Sequence, residues 1–407
     1  MIAFLVLAFG FANLTAITPT ARAAQSTANP VKAVAYAGRL IGDANRARLV
    51  LDVDRKLSFE TRYLSGPYRI IVDFDEVSFN LGKDLAAPDG AVISEIRYGT
   101  IAPGRSRIVI TSDSPAIVEK ASIRQIGSQE RYRLIVDLVR TDHDGFKSAM
   151  FRLKSRVSTT GEVAFKGDRV RRQKNESAKY TIVVDPGHGG IDGGAEGKTG
   201  TKEKEITLSF SKVLKARLEQ TGLFDVVLTR DKDVFVALGE RIATARRTKA
   251  SLLISIHADS LNLKRIRGAT VYTLSPEGSD ELSEELADAV NRSDLIAGLS
   301  LPKEDEQVAD ILIDLTRRET KIFSVQVANL MVQTLRGSVR LIKNPARSAN
   351  FHVLKSPEVP SILLELGYLS NPEDEKLMKQ ISWQRMAADS VAKAVTVFFK
   401  KRMAQGN

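Results

Sequence analysis

The chain has 407 residues, enough for two or three domains, and an ordinary 43% of them are hydrophobic. It has no cysteine, which excludes a disulfide scaffold and a thiolate metal site. A formal charge of +11 suits either solubility or an anionic partner; no nucleic-acid motif or aromatic-spaced basic sheet accompanies it, so the anionic partner expected is a bacterial wall or membrane surface and no nucleic acid.

Residues 1–24 read as a signal peptide. An apolar run at 2–12 precedes the small-residue stretch Thr-Ala-Arg-Ala-Ala at 20–24, with cleavage expected near Ala23 or Ala24. The run is short for a spanning helix and no stop-transfer pattern follows, so no stable membrane insertion is expected after cleavage. The usual basic n-region is missing, which leaves the general and twin-arginine export routes both open.

Residues 33–140 read as all-β. Runs at 48–53, 68–74, 107–111 and 132–138 are short, β-branched and bounded by turn residues. A small β-sandwich is the natural architecture. Two runs share the pattern Tyr-Arg-(apolar)-Ile-Val-Asp, at 68–73 and 132–137, as in a weak internal repeat. Residues 144–179 interleave Lys and Arg with Ser, Thr and Gly, and read as a basic linker.

From 180 onward strand and helix alternate. Strands are expected at 180–185, 225–229, 251–256, 268–274, 339–342 and 361–365. Helices are expected at 204–221, 239–248, 280–290, 306–336 and 383–402, with a further one starting at Asn371-Pro372, where Asn caps and Pro takes the first position. Such alternation predicts an α/β domain, a mostly parallel twisted sheet covered by helices.

Three candidate site residues lie at the carboxyl ends of predicted strands, where an open α/β sheet puts its active site. His188 follows the strand at 180–185, His257 follows that at 251–256, and Glu365 ends that at 361–365. Glu203 opens the helix after the first strand. Two imidazoles and a carboxylate can hold a catalytic zinc with one position open for water, and a second carboxylate can move protons. The loop at 185–194 is glycine-rich, but it lacks the Gly-Lys-Ser/Thr ending and the dinucleotide spacing of phosphate loops. Its glycines are expected to form a tight turn that leaves the His188 imidazole exposed. Glu203 and Glu205 compete for the third ligand position on spacing alone. Glu365 ends an apolar run, so it must be paired, metal-bound or catalytic; a salt bridge to an arginine is the structural alternative. His143 sits in a polar boundary turn without an assigned role, and His352 reads as packing or surface.

These segments resemble the zinc-dependent N-acetylmuramoyl-L-alanine amidases of bacterial cell walls, the amidase-3 type. The resemblance rests on Val-Asp-Pro-Gly-His-Gly-Gly at 184–190, Glu-Lys-Glu-Ile-Thr-Leu at 203–208, Leu-Thr-Arg at 228–230, Arg241, Ser-Ile-His-Ala-Asp at 255–259, Val-Leu-Lys at 353–355 and Pro-Ser-Ile-Leu-Leu-Glu-Leu-Gly-Tyr-Leu-Ser-Asn at 360–371. Residues 33–140 resemble the AMIN domain that targets such enzymes to peptidoglycan. The resemblance implies a zinc amidase domain at 180–403, with Zn2+ held by His188, Glu203 and His257 and with Glu365 catalytic; it favours Glu203 over Glu205. It implies a periplasmic peptidoglycan hydrolase of cell division, cutting the amide between N-acetylmuramic acid and L-alanine. It also implies a regulatory insert at about 280–319, with the enzyme autoinhibited until an activator with a LytM-type domain displaces an inhibitory helix. An acidic side chain between Glu277 and Glu306 is expected to fill the open zinc position. Two alternatives stand beside this reading: a zinc peptidase cutting within the stem peptide, and a non-catalytic wall-binding scaffold.

Overall fold

The computed structural model describes residues 32–81, 85–102, 104–127, 130–157, 179–299 and 311–404. The expected signal peptide lies outside them. In the first part, short alternating runs build nine strands: β1 (Ala33–Gly42), β2 (Arg46–Val53), β3 (Phe59–Leu64), β4 (Tyr68–Asp75), β5 (Val77–Phe79), β6 (Ile93–Ala102), β7 (Arg105–Ser112), β8 (Ala116–Gln125) and β9 (Tyr132–Arg140). They form two sheets, ordered β5-β1-β2-β9-β8 and β3-β4-β7-β6. Leu49, Leu51, Ile70, Val72, Ile108, Ile110, Leu134 and Val136 alternate inward from both sheets into one core. The four runs read from sequence are β2, β4, β7 and β9, which with β1 are the inner strands. The others carry weaker patterns; β8 is half-buried or exposed along most of its length.

The repeated Tyr-Arg-(apolar)-Ile-Val-Asp segments are β4 and β9, one inner strand of each sheet. Their outer faces differ. Arg69, Ile71 and Asp73 of β4 are buried, whereas Arg133, Ile135 and Asp137 of β9 are only half-buried.

The basic segment departs from expectation. Its first stretch is helix α1 (His143–Val157), not linker. Phe146 anchors it, 1% exposed, in edge contact with Tyr63 and Tyr68. Asp142 accepts from the Gly145 backbone at the helix start. Ala149 and Met150 pack beside Phe146 at helical spacing, but so short an apolar face among interleaved charges gives a weak period. The rest of the predicted linker, 158–178, lies outside the described residues.

The second part alternates as expected: β10 (Tyr180–Pro186), α2 (Glu203–Gln220), β11 (Phe224–Leu228), α3 (Leu238–Arg247), β12 (Leu252–His257), β13 (Ala269–Leu274), α4 (Glu281–Asn291), α5 (Ser293–Ile296), α6 (Ile311–Leu335), β14 (Leu341–Ala349), β15 (Ser361–Glu365), α7 (Pro372–Met378) and α8 (Ile381–Ala404). The sheet runs β11-β10-β12-β15-β13-β14. It is parallel except where β13 meets β15, so the sheet is mixed. Helices α2, α6 and α8 cover one face through Phe210, Leu214, Met331, Val391 and Val395. The cap at Asn371 forms as read, its side chain accepting from the Glu373 and Asp374 backbones. No helix of the described residues is long and apolar enough to cross a membrane.

Two features of the insert region were not legible. Helix α5 is a single short turn and carries no period. The packing of α4 could not be read either: Leu286, Ala287 and Val290 join Tyr272, Phe351 and Tyr368 in a separate core cluster.

Candidate metal centre

Parallel pairing aligns the strand ends. Pro186 of β10 is the register partner of Ile256, and His257 of β12 is the register partner of Glu365 on β15. His257 is therefore the last residue of its strand rather than the one after it. Two residues beyond β10, the chain turns through His188, whose φ of 59° is unusual for a residue with a side chain. Glu203, at the start of α2, closes the group. His188, Glu203 and His257 each offer one atom, and these atoms all lie within 4.8 Å of one another. Glu203 rather than Glu205 is the acid in the group.

The geometry fits a metal better than a hydrogen-bond cluster. His188 Nε2 lies 3.1 Å from Glu203 Oε2, yet it is buried with no aligned hydrogen-bond partner. His257 Nδ1 lies 3.1 Å from Glu203 Oε1. Each Glu203 oxygen also accepts one backbone N–H, from Ala195 and from Ala258, both at 2.9 Å. Burial alone would raise the Glu203 pKa, but His188 and His257 hold it well below the ordinary carboxylate value.

A carboxylate behind each ligand is a recurring feature of metal sites. Asp192 Oδ2 lies 2.8 Å from His188 Nδ1, fixing the ring so that Nε2 faces the group. Burial alone would raise Asp192, but the His188 charge and hydrogen bonds hold it at about 2. Burial works against a charged His188, yet Asp192 and Glu203 push its pKa well above the ordinary value. His257 moves the other way, because burial outweighs its single carboxylate partner.

Two buried arginines hold the strained turn. Arg241 donates to the carbonyls of Pro186 at 2.7 Å and His188 at 3.0 Å and pairs with Asp185 at 2.8 Å. Arg230 donates to the carbonyls of Pro186, Gly187 and Lys204. Glycine is required where the turn touches the ligands. A Cβ on Gly187 would lie 2.6 Å from His257 Nε2, and one on Gly194, at φ +67°, would lie 2.6 Å from Glu203 Oε2. Asp192 and the holding role of Arg230 and Arg241 escaped the sequence reading. The one available signal for Asp192 was an acid four residues after His188 within the glycine run.

Glu365 is wholly buried. Its Oε2 accepts from the Asp259 backbone at 3.1 Å, while Oε1 has no partner. Among the described residues no arginine pairs with it, so the salt-bridge alternative is not realised. Burial first, then Asp259 and Glu203, push its pKa well above the ordinary value. Asp259 is itself raised to about 7 by burial and by Glu203.

The expected exposure of His188 is not found: it is 6% exposed and His257 3%. Helices α4 and α5 roof them. Val290 of α4 and Ser293 of α5 line a small cavity with His188, His257 and Arg241. Ser293 Oγ donates to Asp192 Oδ2 at 2.5 Å, the same oxygen that faces His188. Among the described acids between 277 and 299, only Asp294 is buried, and its Oδ1 accepts from the Leu238 backbone at 2.9 Å. None of them joins the His-Glu-His group. The acidic stretch at 304–306 lies outside the described residues.

An open α/β sheet with this donor set at the ends of its central strands defines a candidate single-metal hydrolase site. Comparison with known proteins gives the family. Residues 182–397 match the family Amidase_3, N-acetylmuramoyl-L-alanine amidase, and residues 39–138 match the AMIN domain. The chain belongs to the N-acetylmuramoyl-L-alanine amidase family. It is 30% identical over 362 residues to N-acetylmuramoyl-L-alanine amidase AmiC of Escherichia coli O6:H1, covering 86% of each chain. It is 31% identical over 396 residues to AmiC of Neisseria meningitidis serogroup B, covering 94% of each. Among solved structures, amidase AmiC2 of Nostoc punctiforme is 29% identical, with 55% of this chain and 99% of that one covered and a TM-score of 0.41.

Proposed function

We propose that this protein is an exported, zinc-dependent peptidoglycan amidase acting in the periplasm during cell division. It cleaves the amide between the lactyl group of N-acetylmuramic acid and L-alanine. His188, Glu203 and His257 would hold the zinc, which when bound supplies Lewis acidity at the amide carbonyl and makes water more acidic. One observation carries the reading: His188 Nε2 and Glu365 Oε1 are buried, orphaned polar atoms, one in the ligand group and one on the strand beside it. Glu365 Oε1 is free to take the proton of the attacking water. Its raised proton affinity then lets it keep that proton until the amine departs, and deliver it there. Asp192 holds the His188 ring, and Arg241 and Arg230 hold the turn that presents it.

Closure of the site by α4 and α5 supports an autoinhibited resting state, with a protein activator, of LytM type by the resemblance, needed to lift the roof. A zinc peptidase remains the alternative, because the same chemistry serves any amide. The deciding experiment digests purified peptidoglycan with the zinc-loaded full chain, with and without chelator and with an activator present. Intact glycan strands plus free peptides beginning with L-alanine, lost on chelation, are expected. Peptides cut within the stem would overturn the amidase assignment in favour of the peptidase.

A further inference from the structure

The β4-β7 part of the outer face of the β3-β4-β7-β6 sheet is buried. The sheet contacts the catalytic part at three places. Ile71 and Val109 pack with Ile191, Phe235 and Ala297 in a small core cluster. Thr100 of β6 accepts through its carbonyl from the backbones of Ile191 and Phe235, both at 3.3 Å. Ile191 lies in the same turn as His188 and Asp192, so this strand touches the metal loop directly.

The third contact is charged. Arg107 donates to the Ala297 carbonyl at 2.6 Å, and Arg69 donates to the carbonyls of Leu295 at 2.6 Å and Leu299 at 3.3 Å. These carbonyls belong to the carboxyl end of α5 and the residues after it, where a helix leaves acceptors unsatisfied. Arg107 also pairs with Asp73. Arg69 has no carboxylate partner among the described residues, is 3% exposed, and leaves its Nε unsatisfied. Covering this face takes the Arg69 guanidinium out of water, and only the α5 carbonyls satisfy it there, so moving α5 away beneath the cover would leave a buried charge unpaired. Its counterpart in the repeat, Arg133, instead pairs with Asp52 on the open face of the other sheet. The amino end of α5 is tied to the metal site, through Ser293 on Asp192 and Asp294 on the Leu238 backbone. Gly298, just after α5, has φ +70° and no room for a Cβ, which would lie 2.4 Å from Ile71 Cδ1.

We infer that the AMIN region is an intramolecular latch: Arg69, Arg107 and Ile71 grip the carboxyl end of α5 and hold the roof closed over the metal site. This rests on the proposed metal-amidase reading, and gives its autoinhibition a second anchor outside the catalytic domain. Opening the site then requires α5 to leave the sandwich as well as the metal loop, so whatever pulls the AMIN region from this face also favours the open site.

The test uses the zinc-loaded full chain carrying Arg69→Gln, Arg107→Gln, or Arg133→Gln as the control. Amide exchange across 293–299 and the rate at which a chelator strips the zinc both report opening without depending on hydrolysis. Arg69→Gln and Arg107→Gln are expected to speed both by roughly tenfold, within the usual range of coupling between sites, while Arg133→Gln leaves both at the parent rate. Gly298→Ala, which wedges the same contact from the α5 side, is expected to match the latch variants and covers the case in which loss of a buried arginine unfolds the sandwich. Unchanged exchange and zinc loss in Gly298→Ala and in the folded arginine variants would overturn the latch, as would an equal gain in Arg133→Gln. Faster exchange and zinc loss with no peptide release from peptidoglycan would leave the latch standing and sink the amidase reading instead.

Discussion

His257 and Glu365 are register partners at the carboxyl ends of adjacent parallel strands. A candidate metal ligand and a candidate proton carrier thus sit side by side on the most rigid part of the fold. Neither depends on a loop for its position, and both are buried. A site built on strand ends holds geometry better than one built on loops.

Replacing Glu365 separates chemistry from metal binding. Glu365→Gln keeps the shape and removes the base. Peptide release should fall by about two to four orders of magnitude, the usual range for a general base, with zinc content unchanged. Metal analysis beside a wall-digestion assay checks this. Full hydrolysis by the zinc-loaded variant would remove Glu365 from the mechanism.

The residues behind the ligands should govern affinity. Asp192→Asn weakens the hold on His188 and should cost roughly ten- to a hundredfold in zinc affinity, as removal of such partners commonly does. Gly194→Ala should also cost affinity, since its Cβ would meet Glu203 Oε2 at 2.6 Å and φ is +67°. Competition with a chromophoric chelator measures both.

Zinc uptake should release protons. Burial disfavours a charged His188, but Asp192 and Glu203 push its pKa well above the ordinary value, which favours the protonated ring. A metal binds only the neutral ring. Affinity should therefore rise with pH and fall in acid. Calorimetric titration in two buffers of different ionisation enthalpy reads the proton count directly; identical heats would contradict it.

The latch should weaken in acid. Burial would raise the Asp73 pKa, but Arg107 and Arg62 hold it below its ordinary 3.8. A carboxylate lowered on folding contributes stability above its unfolded pKa and loses it as pH falls through the folded value. Asp73→Asn should be less stable than the parent at neutral pH, and the two should converge below about pH 4. Thermal melting across pH follows the difference.

Removing 280–319 whole should damage the fold rather than simply open it. Leu286, Ala287 and Val290 fill a cluster with Tyr272 and Phe351, and large-to-small losses at such positions cost about 2–5 kcal/mol for a residue the size of Leu. The deletion should melt well below the parent. Ser293→Ala, which cuts only the bond to Asp192, should keep the melting temperature within a few degrees and speed amide exchange in α5. A deletion variant as stable as the parent would show that α4 contributes little to the core.

What could be read in advance had a local cause. Short apolar runs that end on or just before a polar residue mark buried strands with polar tips, so β10, β12 and β15 and the residues at or just after their ends were legible. The Asn371 cap was legible because a cap is a contact between near neighbours. The same reading failed where burial came from far along the chain. Helix α1 hid within a basic segment because its docking residues, Phe146 with Ala149 and Met150, are few and stand among Lys and Arg. His188 was expected to be exposed because nothing within its own loop covers it.

The amino-acid order by itself determined the donor set, the strands that carry it and the sandwich in front, because strand period, glycine placement and chain-end polarity act over a few residues. Only the tertiary structure decided that β4 turns Arg69 onto α5 while its repeat partner β9 turns Arg133 toward solvent, and that Ser293 closes over Asp192. An alternating strand reads the same whichever covering its outer face receives, and the partners of Arg69 lie 226 and 230 positions away.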